Sequence, residues 1–338
     1  MILVTGTYPP EQCGVADYSY CLLNSEEGKR SNWKLVYTRN VSFSGLKNAI
    51  KMVKSIDDND VNIQYPSRGY AATILPHLLC VYLRFFTKRK VSVTFHELTQ
   101  LGWKGSLFSY LLLLFANKLI FTNEFERDAA IKKVPFVKGK STVIQIFSNI
   151  SKSENIHKIS ERIYDIGYFG YIRPMKGLEN FIDVIEEVKK TNNVNAYILG
   201  QTLPDLLDYA EEIKEKSNKV GITIIDGKSD SEVADILANT KIAYLPYPDG
   251  LSERRGSFLA FVRNLALIVS TEGPFVTATH RKYLKVVEEK DASGMISLLL
   301  SLSDEEKNEE QLMVEEFVTN NLPASWDEIV QKYNDFLL

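Results

Sequence analysis

Short apolar runs rich in β-branched residues alternate along this chain with segments of helical period, the sequence mark of βαβ units and parallel sheets. In the first half the strand signals fall at Ile2–Thr5, Leu35–Thr38, Val61–Gln64, Val91–Phe95, Leu119–Thr122 and Thr142–Ile146. Helical patterns lie between them, at Ala16–Asn24, Leu46–Ser55, Ala72–Phe86, Ser106–Phe115 and Glu124–Lys132. The polar stretch from Ser151 to Glu161 breaks this rhythm and reads as a linker. The alternation then restarts, with strands expected at Asp165–Tyr168, Asn195–Leu199, Gly221–Ile225, Ile242–Leu245 and Leu267–Ser270. Helices fit Leu178–Lys190, Asp205–Lys216, Ser231–Ala238 and Ser257–Asn264, and two more, Asp304–Thr319 and Trp326–Leu337, close the chain.

The expectation is therefore α/β: two doubly wound Rossmann-like domains in tandem, residues 1–150 and 163–322, joined by a linker over 151–162. Such sheets hold ligands at the carboxyl ends of their strands, here in a cleft between the domains. A length of 338 residues suits two domains of ordinary size. The longest mainly apolar stretch, Leu107 to Ala116, is far short of the roughly 20 residues a bilayer requires. The start at Met1 has neither the basic region nor the cleavage site of a signal peptide. Cys13, Cys21 and Cys80 form no disulfide or metal-binding pattern. A cytoplasmic protein is expected.

Charge is unevenly distributed. The net −3 divides into +8 over residues 1–150 and −11 over residues 151–338, which suggests domains with different partners. Neither half carries the dense Lys/Arg stripe of a duplex-binding surface, so nucleic acid is not expected as a partner. The segment Arg84-Phe-Phe-Thr-Lys88-Arg89-Lys90 frames two aromatics with four cations at the end of a largely apolar helix. It is the feature that suggests peripheral contact with an anionic membrane.

Residues able to do chemistry follow the strand ends. Gly6 through Gly14-Val-Ala-Asp17-Tyr18, with Tyr8 inside, is a turn-rich loop opening into a helix, where a glycine lets backbone N–H groups approach a ligand. It is neither the dinucleotide fingerprint nor the P-loop. His96 closes a strand and is followed by Glu97, a position for hydrogen bonding or proton transfer. Gly170-Tyr-Ile-Arg173-Pro-Met-Lys176-Gly177 brings two cations beside a helix start, a cradle for a diphosphate. The richest stretch, Asp249-Gly250-Leu-Ser252-Glu253-Arg254-Arg255-Gly256-Ser257, runs from a strand end into an apolar helix. Asp58-Asn59-Asp60 spells the DxD of metal-dependent sugar transferases, but it precedes a strand and reads as a solvated turn. No metal site is expected.

These segments, in this order and together with Gln64-Tyr65-Pro66, resemble the retaining glycosyltransferases of family 4, which have the GT-B fold. The resemblance implies a nucleoside diphosphate sugar bound by the second domain and a glycan or lipid-linked glycan acceptor bound by the first. It also implies a final helix, 323–338, that crosses back to the first domain. Arg173 and Lys176 match the family's diphosphate-binding pair, Gly14 the loop glycine that lies against the donor, and His96 the histidine near the transferred sugar. On that basis the catalytic set takes His96, Arg173 and Lys176, and Glu253 joins it from its place in the Asp249–Ser257 stretch, without a matching family role. Donor contacts fall to Gly14, Arg173, Lys176 and the stretch from Asp249 to Ser257, acceptor contacts to Tyr8, Asp17, Tyr18 and His96. The chain departs from the family where many members carry two glutamates eight residues apart, the second holding the ribose. Here those positions are Ser252 and Ala260. The departure motivates an alternative, a catalytically silent GT-B protein that partners an active transferase. An epimerase of similar fold would need more carboxylates than these loops place.

Overall fold

Ile2, Leu3 and Val4 of the first strand are all buried, yet they enter different cores, Ile2 and Val4 one and Leu3 the other. A strand covered on both faces does this, because successive side chains point to opposite sides. In a computed structural model of the chain, which describes all residues except Gln12, Asn40, Val41, Ala71, Ala72 and Leu338, twelve strands and fourteen α-helices follow this logic. Residues form two units, Met1–Phe147 with Pro323–Leu338, and Ser148–Leu322.

In the first unit, β1 (Ile2–Thr5), α1 (Gly14–Asn24), α2 (Glu26–Arg30), β2 (Lys34–Tyr37), α3 (Phe43–Ser55) and β3 (Asp60–Tyr65) come first. Then follow α4 (Leu75–Phe86), β4 (Lys90–Phe95), α5 (Trp103–Phe115), β5 (Lys118–Phe121), α6 (Glu124–Lys133) and β6 (Ser141–Val143). All pairs are parallel, in the order β2-β1-β3-β4-β5-β6, so the order reverses between β1 and β3. The helix expected from Ala72 begins at Leu75, with a proline in its first turn, and Ala72 itself lies outside the described residues.

The second unit holds β7 (Tyr164–Phe169), α7 (Leu178–Lys189), β8 (Ala196–Leu199), α8 (Leu207–Val220), β9 (Thr223–Ile225), α9 (Asp230–Ala238) and β10 (Thr240–Leu245). It continues with α10 (Gly256–Arg263), β11 (Leu267–Thr271), α11 (Ala278–Tyr283), β12 (Lys285–Val287), α12 (Ala292–Ser301) and α13 (Asp304–Asn321). Its parallel order, β12-β11-β10-β7-β8-β9, is that of a Rossmann sheet whose strand order reverses between β7 and β10. Residues 151–162, read from their polarity as a linker, are built into this unit. Ser153 donates to Asp235 through Oγ at 2.7 Å and through its backbone N–H to Asn264 Oδ1 at 2.9 Å. Arg162 Nη1 donates to the Thr240 carbonyl at 2.8 Å.

The last helix, α14 (Trp326–Leu337), belongs to the first unit. Its Ile329, Val330, Tyr333 and Leu337 recur at helical spacing and pack with Leu3, Tyr18, Leu22 and Ile120 on one face of the first sheet. Among the described residues no helix is long and apolar enough to cross a membrane.

Candidate active site

In a doubly wound sheet the loops on either side of the order reversal diverge and leave a crevice beyond the strand ends. In the second unit those loops are Gly170–Gly177 after β7 and Pro246–Arg255 after β10. Two glycines let them and the neighbouring β11 loop nest. Gly177, at φ +76°, lies so near the Pro246 carbonyl that a Cβ would approach its oxygen to 1.9 Å. Gly250, at φ +84°, abuts Gly273, whose Cα a Cβ would meet at 2.8 Å. No side chain fits at either point, so the loops that carry the candidate residues are locked together by backbone.

Charge follows from that nesting. Asp249 accepts a hydrogen bond from Arg255 Nη2, and its other oxygen lies 3.7 Å from Arg254 Nη2. Arg255 sits over the Tyr247 ring at 4.9 Å and Arg254 over the Phe275 ring at 4.1 Å. Their side chains are only 16% and 6% exposed, so these arginines are packed and paired rather than open to solvent. Tyr168, buried beneath them, has a phenol held well above its ordinary pKa by burial, reinforced by Tyr247 and Tyr209 and opposed by the charges of Arg255 and Arg173. Arg173 is exposed and Lys176 half-buried.

Glu253, expected among the catalytic groups, is turned toward His280, with Oε1 2.9 Å from Nε2. His280 Nδ1 accepts from the Thr277 N–H at 3.1 Å, which leaves Nε2 as the nitrogen beside the carboxylate. Burial alone would raise the Glu253 carboxyl, but the imidazole and a backbone N–H outweigh it and hold the group below its usual value. Ser252 is buried, with Oγ accepting from the Arg254 N–H at 3.4 Å. Ser257 Oγ is 2.6 Å from the Tyr247 hydroxyl, and Gly256 opens α10 on the exposed side. Ala260 is fully buried, so it presents nothing to a ligand.

Beside these loops lies a cavity of about 570 Å³ walled by Pro174, Met175 and Gly177 of one loop and Pro246, Tyr247 and Pro248 of the other. Its remaining lining is Thr271, Asn180 and five carboxylates, Glu179, Asp183, Glu272, Glu288 and Glu289. Asn180 is held at both ends, accepting from Tyr244 and donating to Glu289. None of these lining residues stands out in the sequence as functional. Glu272 comes nearest, two residues past the strand expected at Leu267–Ser270.

The first unit has its own crevice, between β1 and β3. Thr7 Oγ1 and Ser67 Oγ lie 3.1 Å apart across it, and Gly69 touches the Gly6 carbonyl so closely that a Cβ would sit 1.5 Å from the oxygen. His96, at the end of the adjacent β4, has Nε2 2.7 Å from Gln64 Oε1. Burial lowers its pKa to about 4, so the ring is neutral at pH 7 and Nε2–H donates to the amide oxygen. Nδ1 is left as the acceptor.

Behind His96 runs a buried polar chain. Gln64 Nε2 donates to Asn62 Oδ1 at 2.5 Å, and Asn62 Nδ2 donates to Ser92 Oγ at 3.0 Å and Thr94 Oγ1 at 3.1 Å. Thr94 Oγ1 lies 2.9 Å from the Tyr333 hydroxyl, which lies 2.9 Å from that of Tyr18. Tyr18 was expected at the acceptor, but its hydroxyl is buried in this chain and its ring stands edge-on to His96 at 4.9 Å. Tyr8, partly buried, accepts weakly from Asn24 at 3.5 Å, and Asp17 is partly buried on α1. Gly14 is exposed at the start of α1, where a Cβ would meet nothing within 4 Å, so packing does not dictate the glycine. The DxD stretch lies at the amino edge of the sheet, with Asp58 Oδ1 accepting from the Asp60 N–H at 2.9 Å. No cluster of three His, Cys, Asp or Glu able to hold a metal occurs among the described residues.

No protein-family model matches the chain, and no curated protein matches it. Solved structures do. HepE of Anabaena in complex with UDP superposes with a TM-score of 0.75 at 12% identity, over 99% of this chain and 98% of that one. A glycosyltransferase from Rickettsia africae gives 0.71 at 14% identity, over 99% and 97%. A trehalose-6-phosphate protein from E. coli, bound to UDP-2-fluoro glucose, gives 0.67 at 12% identity, over 100% and 99%. The fold is GT-B.

Proposed function

We propose that this protein is a cytoplasmic, metal-independent, retaining glycosyltransferase. It moves a hexose-type sugar from a nucleoside diphosphate donor to a hydroxyl of a glycan or lipid-linked glycan, in polysaccharide or glycoconjugate synthesis. The observation that carries this reading is the crevice of the second unit, where the Arg173–Gly177 and Asp249–Ser257 loops meet beside a cavity of nucleoside size. The likeness to GT-B structures holding UDP supports it.

Departure of the diphosphate builds negative charge on its oxygens as the anomeric carbon becomes cationic, and cations fixed beforehand stabilise that charge most. Arg255, Lys176 and Arg173 have this role, with the donor phosphate competing with Asp249 for Arg255. The nucleoside occupies the neighbouring cavity, where carboxylates such as Glu272 or Glu289 accept from the ribose hydroxyls, a task Ala260 cannot perform. In same-face attack the anomeric carbon–oxygen bond to the phosphate breaks and one to the acceptor oxygen forms. The acceptor's proton passes to the departing phosphate. His96, with Nδ1 as acceptor, orients a sugar hydroxyl, and Glu253 holds the β10 loop through His280.

The pairing of Asp249 with both arginines favours one alternative, a silent GT-B partner subunit whose phosphate site is internally neutralised. Incubation with a panel of nucleoside diphosphate sugars separates the two. An enzyme releases free nucleoside diphosphate from one donor class, continues to do so in excess EDTA, and gives a product of retained anomeric configuration by NMR. A silent subunit releases none from any donor, a restored metal requirement removes the metal-independent reading, and an inverted product removes the retaining one.

A further inference from the structure

α5 is apolar on two opposite sides. Ser109, Leu112 and Leu113 are fully buried against the first unit. Trp103, Leu107, Tyr110 and Leu114 are 75%, 58%, 36% and 42% exposed. Their spacing of four, three and four residues places all four within an arc of about 60° on the outer face. The patch continues at the C-terminal end of the helix. Phe85 of α4, itself exposed, packs its ring 5.3 Å from that of Phe115. Exposed Phe136 is tied in by Lys140, whose Nζ lies over its ring and donates to the carbonyls of Leu114 and Ala116. A contiguous apolar surface of this kind on a folded unit marks an interaction site.

The charge around it selects the partner. From Val61 to Asn123 the chain carries seven Lys or Arg and a single carboxylate, Glu97. Arg84, Lys88, Lys90 and Lys104 are exposed, and the Lys104 ammonium lies 5.3 Å from the centre of the Trp103 ring. A second copy of this chain would bring the same cations and repel. Aromatic and leucine side chains ringed by cations match a surface that is negative outside and apolar within.

We infer that α5 docks the protein on an anionic lipid bilayer. At 13 residues the helix is about 20 Å long, so it lies in the interfacial plane with Trp103, Leu107, Tyr110 and Leu114 at the headgroup–acyl boundary. The sequence pointed to the end of α4 for such contact. The exposed stripe makes α5 the inserting element and leaves Arg84–Lys90 the electrostatic one. The inference stands apart from the transferase reading, because docking requires no sugar donor.

Of the three tryptophans Trp103 is the exposed one and a native reporter of this docking, since Trp33 is buried and Trp326 is partly buried against Tyr18 and Phe147. With phosphatidylglycerol vesicles at low salt, tryptophan emission shifts to the blue, acyl-brominated lipid quenches it, and Trp103→Phe removes the shift while the protein still sediments. Phosphatidylcholine vesicles, or high salt, give little binding. The double variant Leu107→Ser/Leu114→Ser lowers the vesicle-bound fraction roughly tenfold or more, whereas Phe43→Ser, exposed on α3, leaves it unchanged. Lys88→Glu/Lys90→Glu abolishes it independently of the apolar change. Full recovery in the supernatant with anionic vesicles overturns the inference, as does normal binding by the leucine and lysine variants. A dimer seen by light scattering that dissociates in the leucine variant also overturns it, in favour of a copy-to-copy contact. Donor hydrolysis without vesicles, measured on the same proteins, reports on the transferase reading alone.

Discussion

The crevices of the two units are built at the same place in similar sheets and filled with opposite chemistry. Behind His96 the polar side chains are neutral and bonded to one another, from Gln64 through Asn62 and Thr94 to Tyr333 and Tyr18. Around Arg255 the groups are ionic and stacked on aromatic rings. A neutral network fixes direction without fixing charge, which suits the recognition of sugar hydroxyls. A paired, desolvated arginine has charge available only to a ligand able to compete with its carboxylate, which suits a diphosphate.

The comparison breaks most easily at the ionic side. Arg255→Ala or Lys176→Ala is expected to cut turnover roughly 10²–10³-fold, the scale for one preorganised charge-stabilising donor. Folded variants with near-normal rates would show that the diphosphate lies elsewhere. Gly177→Ala tests the backbone nesting beneath that charge. It must both adopt a left-handed φ and displace the Pro246 carbonyl, at a cost of about 2–4 kcal/mol, seen as a lower denaturant midpoint.

On the neutral side, Tyr333→Phe removes the hydroxyl between Thr94 and Tyr18 and leaves buried partners unsatisfied. A loss of about 1–3 kcal/mol is expected, together with a rise in KM for acceptor larger than any fall in kcat. An unchanged acceptor KM would reduce the network to a packing role. Acid provides a milder probe. His96 and His77 both have folded pKa values lowered to about 4 by burial, below the ordinary imidazole value of about 6.5. The unfolded chain then binds more protons than the folded one, so stability falls as pH drops from 6.5 toward 4 and flattens below. His96→Gln should shallow that slope in thermal melts across this window. The smallest effect is expected at Asp58→Ala, remote from both crevices, which should leave the transfer rate within about twofold.

Much of this was written plainly in the chain. Strands buried on both faces read as continuous apolar runs, and the doubly wound sheets they imply pointed to the strand-end loops that carry Arg173, Lys176, His96 and Asp249–Ser257. The cavity wall was not legible. Glu179 and Asp183 sit on α7 among other charges and read as a solvated face, and Glu288 and Glu289 follow β12, a strand of three residues with too little pattern to register. Residues 151–162 misled because their polarity resembles a linker, although Ser153 and Arg162 spend it on buried hydrogen bonds within the second unit.

The sequence by itself determined two parallel α/β units and marked the strand-end loops in which ligand contacts are proposed, because hydrophobic period and glycine-rich strand ends are local properties. What the alternating polar residues of β3 and β4 do was decided only by tertiary structure. Asn62 and Gln64 pair with Ser92 and Thr94 across the ladder, and a period of two cannot say whether such a face meets water. It meets Tyr333, from a helix more than 200 residues later in the chain. Burial under that helix turns four polar side chains into a bonded array that sets the tautomer of His96. No local pattern encodes a partner so distant, because the free energy of the array depends on the whole set being dry and mutually satisfied.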